Sequence, residues 1–154
     1  MSFTSEILKR MESIYNKVDM QRTYFSAFSP VEGTELENKV AESTKRTAQL
    51  YHADALINEY KFKLREIVFN DNNNLSFDED PKILAARKMD IFPVEINSAP
   101  YVELIRVPGI GVKSAKKIIS IRKKIPFENM SDLKKLGVVI KRAEPFIQIE
   151  GNYQ

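Results

Sequence analysis

The chain has 154 residues, a formal charge of +3 at neutral pH and no cysteine. That length suits one domain or two small ones with a real apolar core. The missing thiols exclude disulfides, cysteine-ligated zinc and iron–sulfur clusters in this chain, and agree with a reducing cytoplasm. No apolar run is long enough to span a bilayer, and the N-terminus lacks the charged-then-apolar layout of a signal peptide.

Residues 3–18 predict an amphipathic helix, with Phe3, Ile7, Leu8, Met11, Ile14, Tyr15 and Val18 at helical spacing. The aromatic-rich stretch Gln21–Ser29, ended by Pro30, reads as a strand. No other stretch reads as a convincing strand, so this one needs a partner outside the chain or is an extended arm. Residues 31–46 are polar and begin as loop. A helix is expected from about Asn38 or Thr47 to Tyr60, using Leu50, Ala53, Leu56, Ile57 and Tyr60. Its His52 is the sole histidine and has no metal-ligand companions, so it reads as structural.

A short helix at Leu64–Val68 precedes the Asp/Asn-rich loop Asn70–Asn74. The loop is no calcium site, because Leu75 falls where an oxygen ligand belongs and no glycine gives the central bend. Asp78-Glu79-Asp80-Pro81 reads as the capped start of a helix running to about Lys88. Asn97-Ser98 then cap a helix with Pro100 in its first turn.

Charge is unevenly distributed. Residues 1–100 hold 13 Lys/Arg and 16 Asp/Glu, whereas residues 101–142 hold 11 and 3. That basic stretch coincides with Leu104–Arg122, reading LIRVPGIGVKSAKKIISIR. There a tight turn, Pro108-Gly109-Ile110-Gly111-Val112, separates two helical segments, the second carrying Ala115, Ile118, Ile119 and Ile121 on its buried side. Ile110 can lock the hairpin between the helices. The amides after Gly109 and at Gly111, Val112 and Lys113 are then unpaired donors at a positive helix end, an anion site.

These residues closely resemble the helix-hairpin-helix motif of DNA-repair and DNA-uptake proteins. The resemblance rests on Val107, Pro108, Gly109-Ile110-Gly111, Ala115 and Ile118. It implies backbone phosphate binding, with a hydroxyl from Ser114 and charge from Lys113, Lys116, Lys117, Arg122, Lys141 and Arg142. It also implies a monovalent cation held by the carbonyls of Ile105, Val107 and Ile110. A bare αα-hairpin that packs two helices and binds nothing is the plainer reading of the same residues.

After Pro126-Phe127, Ser131 or Asn129 caps a helix over Asp132–Leu136, Gly137-Val138-Val139 turns it, and Ile140–Ile147 follows. The pair of hairpins is similar to the tandem domain of competence DNA-uptake receptors, through Ile96-Asn97, Ala99, Leu104, Pro108–Gly111, Arg122, Pro126-Phe127 and Asp132-Leu133. Val139 stands where the second glycine belongs. A β-branched residue there is expected to strain the turn by about 1 kcal/mol or more, weakening the second phosphate site.

A longer resemblance runs through Tyr24–Pro30, Leu50–Asp54, Asp80–Lys82, Phe92–Val94, Val107–Gly111 and Lys135–Val139. In this order they resemble the C-terminal part of the DNA modification/repair radical SAM proteins, a family often encoded beside a uracil-DNA glycosylase. That family carries its cluster on an N-terminal barrel, for which this chain has neither cysteines nor room. The resemblance implies the DNA-binding tail of a split or truncated protein, without cofactor or catalysis of its own. Residues 1–33 would be the end of the barrel, docking on a barrel polypeptide or on a second copy.

The expected fold is mainly α: a tandem helix-hairpin-helix domain over 91–150, preceded by a helical subdomain over 34–90 and the helix–strand segment. The expected function is non-sequence-specific binding of duplex DNA in the cytoplasm. Two alternatives stand beside it. One is a helix-hairpin-helix DNA glycosylase/lyase in which Lys113 lies where the family's lyase lysine would lie. Its catalytic Asp should then fall at Ser131, with Asp132 next door, and it needs a second helical domain around its base pocket. The other is a purely structural docking subunit.

Overall fold

A computed structural model describes residues 3–149 of the chain; residues 1, 2 and 150, placed above in the terminal segments, lie outside the described residues. The protein is mainly helical and divides into two compact units, Met1–Pro81 and Lys82–Gln154.

In the first unit, α1 (Thr4–Lys17) packs on α2 (Thr44–Asn58). Leu8 and Met11 of α1 and Leu50, Ala53, Leu56 and Ile57 of α2 are buried, and Phe62, Ile67 and Leu75 join the core. Ser43 caps α2 by accepting from the Lys45 amide. The segment expected at Leu64–Val68 is a single 3-10 turn, Leu64–Glu66. In the 70–74 loop, the Asn70 side chain accepts from the Asn72 and Asn74 amides, and the Asn74 side chain accepts from the Thr4 amide and hydroxyl. Its polar side chains therefore hold a turn.

The strand expected at Gln21–Ser29 does not form. The stretch is extended, with Thr23, Phe25 and Ala27 half-buried and Arg22, Tyr24 and Ser26 exposed, but it belongs to no ladder. One side chain does part of a neighbouring strand's work. The Tyr51 hydroxyl accepts from the Phe25 amide at 2.8 Å and donates to the Phe25 carbonyl at 2.9 Å. The two rings meet edge to face, 5.2 Å between centroids. Asn58 donates to the Gln21 carbonyl, and the Phe28 carbonyl takes the Glu42 amide. Alternate residues from Thr23 to Ala27 are half-buried, Phe28 breaks the alternation, and side chains of α2 take the place of a second strand.

The second unit opens at Lys82 within α3 (Pro81–Arg87) and contains β1 (Val94–Glu95), α4 (Tyr101–Leu104), α5 (Val112–Arg122), α6 (Met130–Lys134), α7 (Ile140–Ala143), a 3-10 turn at Glu144–Phe146 and β2 (Ile147–Gln148). The strands pair in parallel, Val94 beside Ile147 and Glu95 beside Gln148, and the Ile96 amide adds a bond to the Gln148 carbonyl at 3.0 Å. This ladder, unexpected from the sequence, ties the entry of the first hairpin to the exit of the second. Another long-range clamp does the same for the middle. Asn97 does not cap α4, which starts after Pro100. Its amide side chain instead holds both backbone groups of Phe127, at 2.8 and 2.9 Å.

Candidate nucleic-acid interface

The first hairpin is α4, the turn 105–110 and α5. Leu104, Ile105, Val107, Ile110, Ala115 and Ile118 are all essentially inaccessible, so Ile110 locks the helices as its position in the motif suggests. Gly109 has φ +89°, which a side chain rarely adopts. Gly111 has φ −86° and ψ 173° and is the N-cap of α5. Its first intrahelical bond runs from the Ala115 amide to the Gly111 carbonyl, 2.9 Å. Among the described residues, the amides of Gly111, Val112, Lys113 and Ser114 have no protein acceptor. Four donors thus stand at the positive end of an eleven-residue helix. Lys113, Lys116 and Lys117 are exposed, and their spacing puts them on one face of that helix.

Several expected contributors have other work. The Ile110 amide bonds the Val107 carbonyl at 3.1 Å, and its own carbonyl accepts from the Lys82 ammonium at 2.7 Å. With its side chain buried as well, Ile110 has nothing to offer a phosphate. The Ser114 hydroxyl donates to the Leu136 carbonyl at 2.9 Å, and Ser114 is 7 % exposed. It can therefore contribute its amide, not its hydroxyl. Arg122 is a structural clamp, donating to the carbonyls of Ile96 at 2.9 Å and Ala99 at 2.7 Å. The carbonyl set Ile105, Val107 and Ile110 does not suit a dissolved cation either, because the Lys82 ammonium already sits on Ile110 and repels a second positive charge.

The second hairpin is α6, the turn 135–139 and α7, with Asn129 as the α6 cap through the Asp132 amide, 3.2 Å. It repeats the first. Gly137 also has φ +89°, and the same offset relates Gly109 to Gly137, Ala115 to Ala143 and Ser114 to Arg142. The turns face each other. A Cβ on Gly137 would meet Ser114 Oγ at 3.3 Å, and one on Gly109 would meet the Val139 carbonyl oxygen at 2.5 Å and Arg142 Cβ at 3.2 Å.

Val139 corrects the expectation of strain. Its φ is −83°, so its branched side chain is compatible with the backbone. The left-handed position of each turn is the first glycine, and both hairpins keep it. The hairpins are nevertheless unequal, for a different reason. The Val139 amide, counterpart of the unpaired Gly111 amide, donates to the Gly109 carbonyl at 2.9 Å. Moreover α7 is a single turn of four residues. Lys141 is exposed and Arg142 half-buried.

Residues 91–143, about a third of the chain, match the family model described as helix-hairpin-helix motif, and they include every candidate DNA-contacting residue of both hairpins. No curated protein and no solved structure matches the chain. Among the described residues, no helix is long and apolar enough to cross a membrane.

Proposed function

We propose that the second unit binds the phosphate backbone of duplex DNA without reading its sequence. The observation that carries this reading is the row of unpaired amides at Gly111–Ser114, with Lys113, Lys116 and Lys117 exposed on the same helix. Backbone amides and lysines position a protein on phosphates and carry no base information. The helix-hairpin-helix match over this same region supports it. Fluorescence anisotropy on unrelated duplexes tests it. Affinity should be weak, similar across sequences, and fall with salt at a log–log slope of about −0.9 per phosphate neutralised. No binding at low salt, or a flat salt response, refutes it.

The finer reading is that the chain is the DNA-binding part of a split or truncated DNA modification/repair radical SAM protein, working in the cytoplasm with catalysis in another polypeptide. What supports it is the resemblance running from Tyr24 to Val139 and the absence of cysteine in this chain. The exposed Tyr24 and the extended stretch 21–29 are then the surface for a barrel partner or a second copy. Light scattering of the chain alone and mixed with a cysteine-bearing barrel encoded beside it checks this. A monomer that ignores such a barrel counts against it.

A further inference from the structure

Lys82 is a lysine where a lysine is seldom found. It is 7 % exposed, lies at the start of α3, and its ammonium is 2.7 Å from the Ile110 carbonyl. Burying an ammonium is costly unless its protons find strong acceptors, and a charge-assisted bond to a carbonyl is among the stronger ones available. The acceptor's place in the turn gives the contact a consequence. In a trans peptide the C=O and the following N–H point in opposite directions, and among the described residues the sole cis bond is Phe92–Pro93. Holding the Ile110 oxygen inward therefore turns the Gly111 amide outward, where it has no protein acceptor. The same bond polarises the peptide and makes that amide a better donor.

We propose that Lys82 is a positioning residue of the anion site: its buried ammonium acts as a fixed internal cation that sets the Ile110–Gly111 peptide, so the hairpin needs no dissolved monovalent ion. The assignment of a phosphate to the exposed amides rests on the function proposed above; the internal-cation role does not. A covalently tethered cation is present at any salt concentration and cannot be exchanged. An exposed carbonyl set would instead respond to which cation is in the buffer.

The experiment compares potassium, lithium and tetramethylammonium chlorides at equal ionic strength, using the full chain and a short fluorescein-labelled duplex. Anisotropy reports binding, thermal melting reports the fold, and an amide NMR spectrum reports the Gly111 signal. Wild type should show the same affinity, melting temperature and Gly111 shift in all three salts. Lys82→Ala, which leaves a void beside the carbonyl, should bind roughly tenfold more weakly in tetramethylammonium and recover part of that loss in potassium. Lys82→Met, which fills the space with an apolar chain, should not recover. A wild type that melts higher or binds severalfold tighter in potassium overturns the proposal without any variant. So does a Lys82→Ala protein that keeps wild-type affinity and Gly111 shift in tetramethylammonium. If the wild type binds no DNA at all, the DNA reading fails alone. The melting and Gly111 comparison then decides: potassium raising the melting temperature of Lys82→Ala alone upholds the internal cation, and an equal response in both proteins overturns it.

Discussion

Gly109 should be the least replaceable residue of the second unit. Alanine there meets two separate costs. Its φ of +89° lies in the region L-residues avoid, at about 1–2 kcal/mol. Its Cβ would also stand 2.5 Å from the Val139 carbonyl oxygen and 3.2 Å from the Ala143 nitrogen, both backbone atoms. Relief requires the two hairpins to part, which breaks the bond from the Val139 amide to the Gly109 carbonyl and costs a further ~1–3 kcal/mol. Gly109→Ala should therefore lose about 2–5 kcal/mol in all. Gly137 is an internal control. It has the same φ, but its Cβ would meet just the Ser114 hydroxyl, at 3.3 Å, so Gly137→Ala should lose about 1–2 kcal/mol. Urea denaturation followed by far-UV circular dichroism measures both, with amide exchange at Val139 reporting the shared bond. Equal losses for the two variants, with Val139 protection unchanged, would refute the close inter-hairpin approach.

Replacing Lys113, Lys116 and Lys117 by Ala should each flatten the salt dependence of DNA binding, by about 0.9 in log–log slope per lost phosphate contact, and leave the melting temperature unchanged. Arg122→Met should do the opposite: it removes two carbonyl contacts and should lower stability by about 2–3 kcal/mol at an unaltered salt slope. In the first unit, burial raises the pKa of Asp54, against the lowering effects of the Tyr15 hydrogen bond and the Arg22 charge. The folded chain thus holds a proton that the unfolded chain has released between the ordinary aspartate value and the raised one, so stability falls as pH rises through that window. Asp54→Asn keeps an oxygen for the Tyr15 hydroxyl, 2.8 Å away; thermal melts across that window should show a flatter profile and a higher neutral-pH melting temperature.

The first hairpin was legible because its constraints are local. A left-handed turn needs Gly109, a close helix crossing needs Ala115, and Ile110 and Ile118 follow at helical spacing, so neighbouring letters carry the whole pattern. What stayed hidden depends on partners distant in sequence. Nothing near Lys82 marks its ammonium for the Ile110 carbonyl, and nothing near Tyr51 marks its hydroxyl for Phe25. Ser114 and Arg122 look like surface donors on a helix until Leu136, Ile96 and Ala99 are brought beside them. Strands of two residues have no period to read. Val139 misled for a narrower reason: glycine recurs at both ends of the first turn, but just one end needs a positive φ.

That distinction separates fold from function at Gly111. With φ −86° and ψ 173° the position accepts any residue without backbone strain, so glycine is not required there for the turn. It does leave the α5 amides uncapped. Serine is a better N-cap than glycine, because its hydroxyl oxygen accepts from the second or third amide of the helix. In α5 those amides belong to Lys113 and Ser114, two of the donors assigned to the phosphate. Gly111→Ser should therefore keep or slightly raise stability, by a few tenths of a kcal/mol, while weakening DNA binding because an internal oxygen occupies the donors. Gly111→Asp should weaken it further, since the cap then carries a negative charge at the positive helix end. The salt slope of the serine variant should stay near wild type, because no lysine has been lost. Anisotropy and thermal melts on the same samples test the pair. A serine variant that melts like wild type and binds like wild type would mean the phosphate does not sit on these amides, and the lysines alone would then carry the affinity.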